Sequence, residues 1–483
     1  MPEFSLASGA TAGKFQLLNW RGILLSLVGA VLLSWPMIFT TVPLGYFDTF
    51  AYLGTGEGAV NLLLEKMIQP LAEQPDAGPT SIDSNSQAVG ESGHADKAQR
   101  YRSITYSFYL YLTSKTPLGL FLSTVLQTAA TLLILFAFVD SLSGAPRIKL
   151  AAAALFVGIA TTLPWFASYA MPDILAAAII LYYALLAGRL DRLGIGWQLG
   201  FMTLATFAVA SHYGHLPLAA GLIVVILVLR AWTRSFSVRC VVFSVSPLMI
   251  AVLINLFASA IALNELAIAP KRIPILLARS IDDGPAYWYL RDVCPEAPYT
   301  ICKVLPVIPG DISTFLWSDN GIRRASREEL DLIRAEEAEI LWQAFRAYPL
   351  EQTFFFFRNT LQQVVQVGTG EIQPLISTSG KGLSALVTSA DLVADYPALA
   401  LFDIVTKAGT ALGIGLLIAL WLKGALRQPE TRILAVCLLG LLGNALIFGG
   451  LSAPVDRYQS RVVWILPALA VLYWLQAQRE ASP

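Results

Sequence analysis

The stretch Pro43-Leu44-Gly45-Tyr46-Phe47-Asp48-Thr49-Phe50-Ala51-Tyr52-Leu53 follows directly on an apolar run, Gly22–Val42, that is long enough to cross a bilayer. Asp48 is the first acid after that run, and aromatic side chains surround it. Such a carboxylate is either an ordinary surface charge near a helix end or a reactive group held at the lipid boundary. The rest of the chain bears on which.

Composition points to a membrane protein. Of 483 residues, 56% are hydrophobic and 14% charged, with a mean hydropathy of +0.62. A soluble domain carries roughly a quarter charged residues. The formal net charge is zero, so neither nucleic acid nor a strongly acidic partner is indicated. Met1–Leu18 is polar and mixed, and the first apolar run ends without a small-residue cleavage site, so it reads as a retained span.

Apolar runs predict spans at Gly22–Val42, Leu118–Val139, Leu150–Trp165, Ile174–Ala187, Leu199–Ala210, Leu216–Leu229, Val241–Leu263, Ala400–Leu422, Ile433–Gly450 and Val462–Leu475. The expected fold is an all-α polytopic membrane protein with about ten transmembrane helices and two long outer-face loops containing surface helices. Basic residues orient it. Lys14 and Arg21 precede the first span, Arg147, Lys149, Arg189, Arg192, Arg230, Arg234, Arg239, Lys423, Arg427 and Arg432 fall in alternate short connections, and Arg479 follows the last span. Both ends are therefore expected in the cytoplasm. The expected partition is a cytoplasmic N-terminus and first span (1–42), a first outer loop (43–116), spans two to seven (117–263), a large outer loop (264–399), and spans eight to ten with a cytoplasmic C-terminus (400–483).

Within the first outer loop, Gly58–Leu71 is apolar enough to lie as a helix on the membrane surface. The segment 73–99 is poor in hydrophobes and is expected to be mobile, with His94 incidental. Arg100 and Arg102 then precede Tyr106, Phe108, Tyr109 and Tyr111. Arginines beside aromatics suit either an interfacial belt or a phosphate contact. In the second outer loop, Ser326-Arg327-Glu328-Glu329 is a capping box opening an amphipathic run, Glu328–Ala347, stopped by Pro349. Phe354–Val367 reads as a surface helix, since an eleventh crossing would spoil the charge parity. Cys294 and Cys302, exposed to an oxidising exterior, favour a disulfide over metal binding, while Cys240 and Cys437 fall in or near spans and pack there.

Several polar residues stand at span ends. Asp173, in Met171-Pro172-Asp173, opens the fourth span, where the helix dipole favours an acid. His212 and His215 flank Gly214; such a pair either binds metal or caps a tight turn. Arg279 precedes Asp282-Asp283 soon after the seventh span. Asp456-Arg457-Tyr458-Gln459-Ser460-Arg461 opens the last span, and arginines at that depth need partners.

These positions carry a family resemblance. With an acid after the first span (Tyr46-Phe47-Asp48, Tyr52 four residues on), Pro172-Asp173 opening the fourth span, Arg457-Tyr458 opening the last, and long first and seventh-span loops, the chain resembles the GT-C superfamily of integral-membrane glycosyltransferases. Within it, the branch of the protein O-mannosyltransferases and lipid A aminoarabinose transferases is the most similar. Two features depart from the family pattern: Asp48 stands without an acidic neighbour until Glu57, and Met171 occupies the usual place of a basic residue.

The resemblance implies transfer of a sugar from a polyprenyl-phosphate carrier to a glycan, lipid or protein acceptor at the outer face of a bacterial inner membrane. Asp48 is the implied general base. Tyr52, Arg102, Asp173, Arg279, Arg457, Tyr458 and Arg461 are the candidate substrate-binding residues. No dedicated metal cluster is visible in the sequence, and the participation of a divalent ion is left open. Competing classes are a polysaccharide polymerase or ligase, against which the early long loop counts, and a transporter or flippase, which would place charges in mid-span and carry internal repeats.

Overall fold

The structure is a computed structural model describing residues 19–40, 43–68, 102–138, 147–188, 192–263, 265–270, 272–294, 296–377, 386–388 and 398–480. The expected mobile segment 73–99, with His94 and Arg100, lies outside the described residues.

A helix that is apolar on every side belongs where protein surrounds it. Ile174–Gly188 is such a helix, buried from Ile174 to Ala187. Around it pack Leu120–Phe136, Ile195–Ala210, His215–Trp232 and Gln428–Ala445. Asp173 immediately precedes it, so the acid sits at the tip of the bundle's central rod.

Among the described residues, six helices are long and apolar enough to cross a membrane: Trp20–Met37, His215–Trp232, Val238–Ala262, Ala400–Leu422, Gln428–Gly450 and Asp456–Gln478. In the first four of these only 33% of the apolar window is buried inside the protein. The remaining two thirds leave side chains such as Val228, Phe257 and Leu412 exposed. Apolar surface on that scale is stable only when lipid covers it. This is a helical membrane protein.

Several observed helices differ in extent from the expected spans. The first run breaks at Ser34, whose hydroxyl donates to the Ala30 carbonyl at 2.8 Å, and resumes as Trp35–Thr40 with Pro36 at its start. Leu150–Trp165 is two pieces, Arg147–Ile159 and a short helix Leu163–Ala167 that Pro164 helps to begin. The last helical stretch starts at Asp456, well before the expected Val462, and the segment Asp456–Arg461 is therefore helix and not turn.

A small sheet stands at one end of the bundle, an addition to the all-α expectation. β1 (Leu44–Gly45) pairs antiparallel with β2 (Gln373–Ser377), which pairs antiparallel with β3 (Leu386–Thr388). Leu44 also bridges Tyr169, with the Ala170 N–H donating to the Leu44 carbonyl at 2.9 Å. The chain leading to Asp48 is thus held on both sides. The helix expected over Gly58–Leu71 begins earlier, as Phe47–Ile68, and packs along Ile104–Ser114. Gly56 permits that approach, because a Cβ there would lie 2.2 Å from the Ser107 carbonyl oxygen.

Residues 272–365 form a helical subdomain with its own core, including Leu277, Ile281, Leu290, Phe315, Ile333 and Ile340. Cys294 and Cys302 form a disulfide within it. Arg327–Ala347 opens on the expected capping box: Glu329 N–H donates to Ser326 Oγ, and Ser326 N–H donates to Glu329 Oε2. Pro349 both ends that helix region and starts the next, Pro349–Val365, where a missing N–H at the first position costs nothing. Gln363 on this helix ties the subdomain to the bundle. Its Nε2 donates to the Val455 carbonyl and its Oε1 accepts from the Val455 N–H, both at 2.9 Å. Gly449 lets the helix come this close, since a Cβ there would lie 2.4 Å from the Gln363 Cβ.

Candidate functional site

Between the bundle end and the subdomain lies a cavity of about 460 Å³. Its wall draws on segments far apart in sequence: Tyr46, Asp48 and Tyr52; Arg102; Met171 and Asp173; His212 and Tyr213; Arg272; Glu371; Phe448; and Arg457, Tyr458 and Arg461.

Asp48 lies in the first turn of Phe47–Ile68, where a carboxylate is favoured by the unpaired N–H groups. Thr49 fixes that turn: its hydroxyl accepts from the Tyr46 N–H at 3.1 Å and donates to the Ala170 carbonyl at 3.3 Å. Arg102 forms an ion pair with Asp48 Oδ1. Arg102 is held in turn by Tyr213, whose hydroxyl donates to its carbonyl, and by Ser103, which caps the helix Ile104–Ser114. Asp48 Oδ2 has no hydrogen-bond partner among the described residues and remains available.

Asp173 receives Arg461 Nη1 at 3.2 Å, while Arg457 Nε stands off at 4.0 Å. Arg461 also donates to Asn444 Oδ1 and lies 3.8 Å over the Phe448 ring. Arg457 is held mainly by aromatics. Its guanidinium sits 4.2 Å over Tyr46 and 5.0 Å over Tyr458, Nη1 donates to the Tyr169 hydroxyl, and its buried Nε has no hydrogen-bond partner. Of the four guanidiniums that line the cavity among the described residues, Arg102 is committed to Asp48, Arg272 to Glu337 and Arg461 to Asp173. Arg457 is bonded to the Tyr169 and Tyr458 hydroxyls and meets its carboxylate contact, Asp173, only at 4.0 Å, an arrangement suited to receiving an anion.

Burial raises the Glu371 carboxyl above its ordinary range, against the pull of Arg457, with Asp456 and Asp173 adding to the rise. The Tyr46 phenol is raised mainly by burial. His212 is driven well below its ordinary value by burial, and then by His215, Arg461, Arg102 and Arg457.

Seven residues singled out in the sequence meet in this cavity: Asp48, Tyr52, Arg102, Asp173, Arg457, Tyr458 and Arg461. Arg279 does not. It is absent from the cavity wall, where a phosphate contact was expected, because it is spent inside the subdomain. Its Nε donates to Asp283 Oδ2 at 3.0 Å, it pairs with Asp282, and its Nη1 donates to the Ser452 carbonyl. Asp283 in turn accepts from Asn359, so Arg279 braces the subdomain against the loop before Arg457. His212 and His215 lie together with ring centroids 5.1 Å apart, and His212 Nδ1 accepts from the Gly214 N–H, which is turn capping. Among the described residues, no group of three His, Cys, Asp or Glu side chains is placed to hold a metal ion.

Sequence reasoning missed Glu371, Arg272 and the wall role of His212. Nothing in the local pattern around Glu371 points to the site; the pairing of β1 with β2 carries that neighbourhood to Tyr46. No family profile, curated protein or solved structure matches this chain.

Proposed function

We propose that this protein is a membrane glycosyltransferase of the GT-C type, taking a sugar from a polyprenyl-phosphate carrier at the outer face of a bacterial inner membrane. On this reading the six long apolar helices and the four shorter ones, Leu120–Phe136, Ile148–Ile159, Ile174–Gly188 and Ile195–Ala210, make about ten spans. The helix Pro349–Val365 lies on the membrane surface, because Leu350, Phe354, Phe357 and Leu361 line one exposed side of it.

The observation that carries the reading is the meeting of a half-open carboxylate, Asp48, with Arg457 and Arg461 in one cavity of a lipid-embedded bundle. Displacement at an anomeric carbon needs a base on the acceptor and positive charge at the leaving phosphate. Asp48 Oδ2 takes the proton of the acceptor hydroxyl or amine as its heteroatom bonds to the anomeric carbon. The bond from that carbon to the phosphate oxygen breaks, and its electron pair passes to the phosphate. The phosphodiester becomes a monoester dianion, and Arg457 is the group positioned to meet the added charge. Arg102 fixes the orientation of Asp48 through Oδ1, and Asp173 keeps Arg461 at the wall.

The experiment is to express Asp48→Asn at wild-type level and assay membranes for transfer from polyprenyl-phosphate sugars. Loss of product with accumulation of lipid-linked sugar, identified by mass spectrometry, is expected. Undiminished output from the variant sinks Asp48 as the base.

A further inference from the structure

His212 sits in the turn between the helices Ile195–Ala210 and His215–Trp232 and forms part of the cavity wall. The Gly214 N–H donates to its Nδ1 at 3.0 Å. A ring nitrogen that accepts carries no proton, so the neutral imidazole holds its proton on Nε2. That Nε2 has no hydrogen-bond partner among the described residues, although the ring is fixed in place. Phe448 stands 5.6 Å away on one side and His215 5.1 Å away on another. His215 donates its own Nδ1–H to the Ala208 carbonyl at 2.8 Å, and its Nε2 is buried without a hydrogen-bond partner, so the His212 Nε2–H is not spent on it. Arg461 lies over the same Phe448 ring, so His212 and Arg461 flank one aromatic wall.

A turn cap needs only Nδ1. The opposite nitrogen is a donor left without a partner in a cavity whose other strong donors are guanidiniums. Resting on the lipid-phosphate reading above, we propose that His212 is a substrate-binding residue whose Nε2–H donates to a non-bridging phosphate oxygen of the carrier. Phosphate oxygens accept without donating, which matches a fixed N–H. A neutral donor adds this bond without adding another cation to Arg102, Arg457 and Arg461. Burial first, then His215 and the same three arginines, hold the imidazole well below its ordinary value.

The test is binding of farnesyl phosphate to the full chain in detergent micelles, measured by calorimetry. In His212→Asn the amide oxygen replaces Nδ1 as acceptor for Gly214, but the side chain is too short to place a donor at the Nε2 position. In His212→Gln the amide reaches that position. Loss of one hydrogen bond to a charged group predicts a roughly 10- to 100-fold weaker Kd for His212→Asn. His212→Gln is expected to recover most of that affinity. Equal affinity of His212→Asn and wild type overturns the assignment and marks a turn cap alone, and an equal loss in both variants overturns it too, because a donor restored at the Nε2 position then makes no difference. If wild type itself does not bind farnesyl phosphate, the lipid-phosphate reading falls first.

Discussion

Arg461 and Asp173, 288 positions apart in sequence, meet with Nη1 3.2 Å from Oδ1 at the rim of the central helix. Their side chains are 1% and 4% exposed, so this is a buried ion pair. Removing one partner of such a pair leaves the other charged and desolvated, which costs about 3–5 kcal/mol. Asp173→Ala is expected to lower stability in detergent by that amount, measured by chemical or thermal unfolding. Asp173→Asn combined with Arg461→Gln should cost less than the sum of the single changes, because the lone charge is gone. Strict additivity would mean that the two side chains are not coupled.

Arg457 separates charge from geometry. Tyr46 and Tyr458 hold its planar guanidinium, and its Nε is unsatisfied. Lysine keeps the charge but neither stacks nor presents a fork. Arg457→Lys is expected to lower kcat/KM for the lipid-linked donor by roughly tenfold, and Arg457→Gln by roughly a hundredfold or more. Initial rates at varied donor concentration check this, and a Gln variant as active as wild type removes Arg457 from the proposed phosphate site.

Glu371 predicts a pH dependence. Its carboxyl is raised in the folded protein, chiefly by burial. A raised acid favours folding when protonated; that contribution is complete below the unfolded value of about 4.3 and is lost as pH rises through the folded value. Glu371→Gln should therefore be more stable than wild type at pH 8, with the difference vanishing below about pH 4. Melting curves at the two pH values decide it. A variant less stable than wild type at pH 8 means that the attraction of Arg457 outweighs the burial cost.

The Cys294–Cys302 bridge closes a short loop between the helices Pro285–Val293 and Thr300–Val304. Loop-closure entropy for a ring of this size is worth roughly 2.5 kcal/mol. Cys294→Ser with Cys302→Ser should loosen the subdomain and raise its sensitivity to protease under non-reducing conditions. Wild-type protease resistance in the double variant would show that the subdomain core suffices without the bridge.

Much of the membrane character was legible because long apolar runs have few alternative uses. The capping box at Ser326, the disulfide pair and the acid at the head of Ile174–Gly188 were legible for a similar reason: each depends on residues close in sequence. Helix ends were less so. The start at Asp456 escaped the hydropathy pattern because the segment carrying Arg457 and Arg461 is polar in composition yet buried against Asp173, Asn444 and Tyr169. Arg279 shows the converse. In sequence it looks like Arg457, a basic residue close to the end of a span, but Asp282 and Asp283 one turn along its own helix neutralise it.

In the opening stretch, residue order alone places an acid among aromatics directly after an apolar run long enough to cross a bilayer. It also determined which side chains had unusual polarity for their place. Which of them face one another depends on how the chain packs in three dimensions. Leu44 is clamped between Tyr169 and β2, and that clamp brings Asp48 into the cavity with Asp173, Glu371 and Arg457. Those contacts arise from backbone hydrogen bonds and helix packing between segments hundreds of residues apart. The order of residues along the chain carries no distance information of that kind.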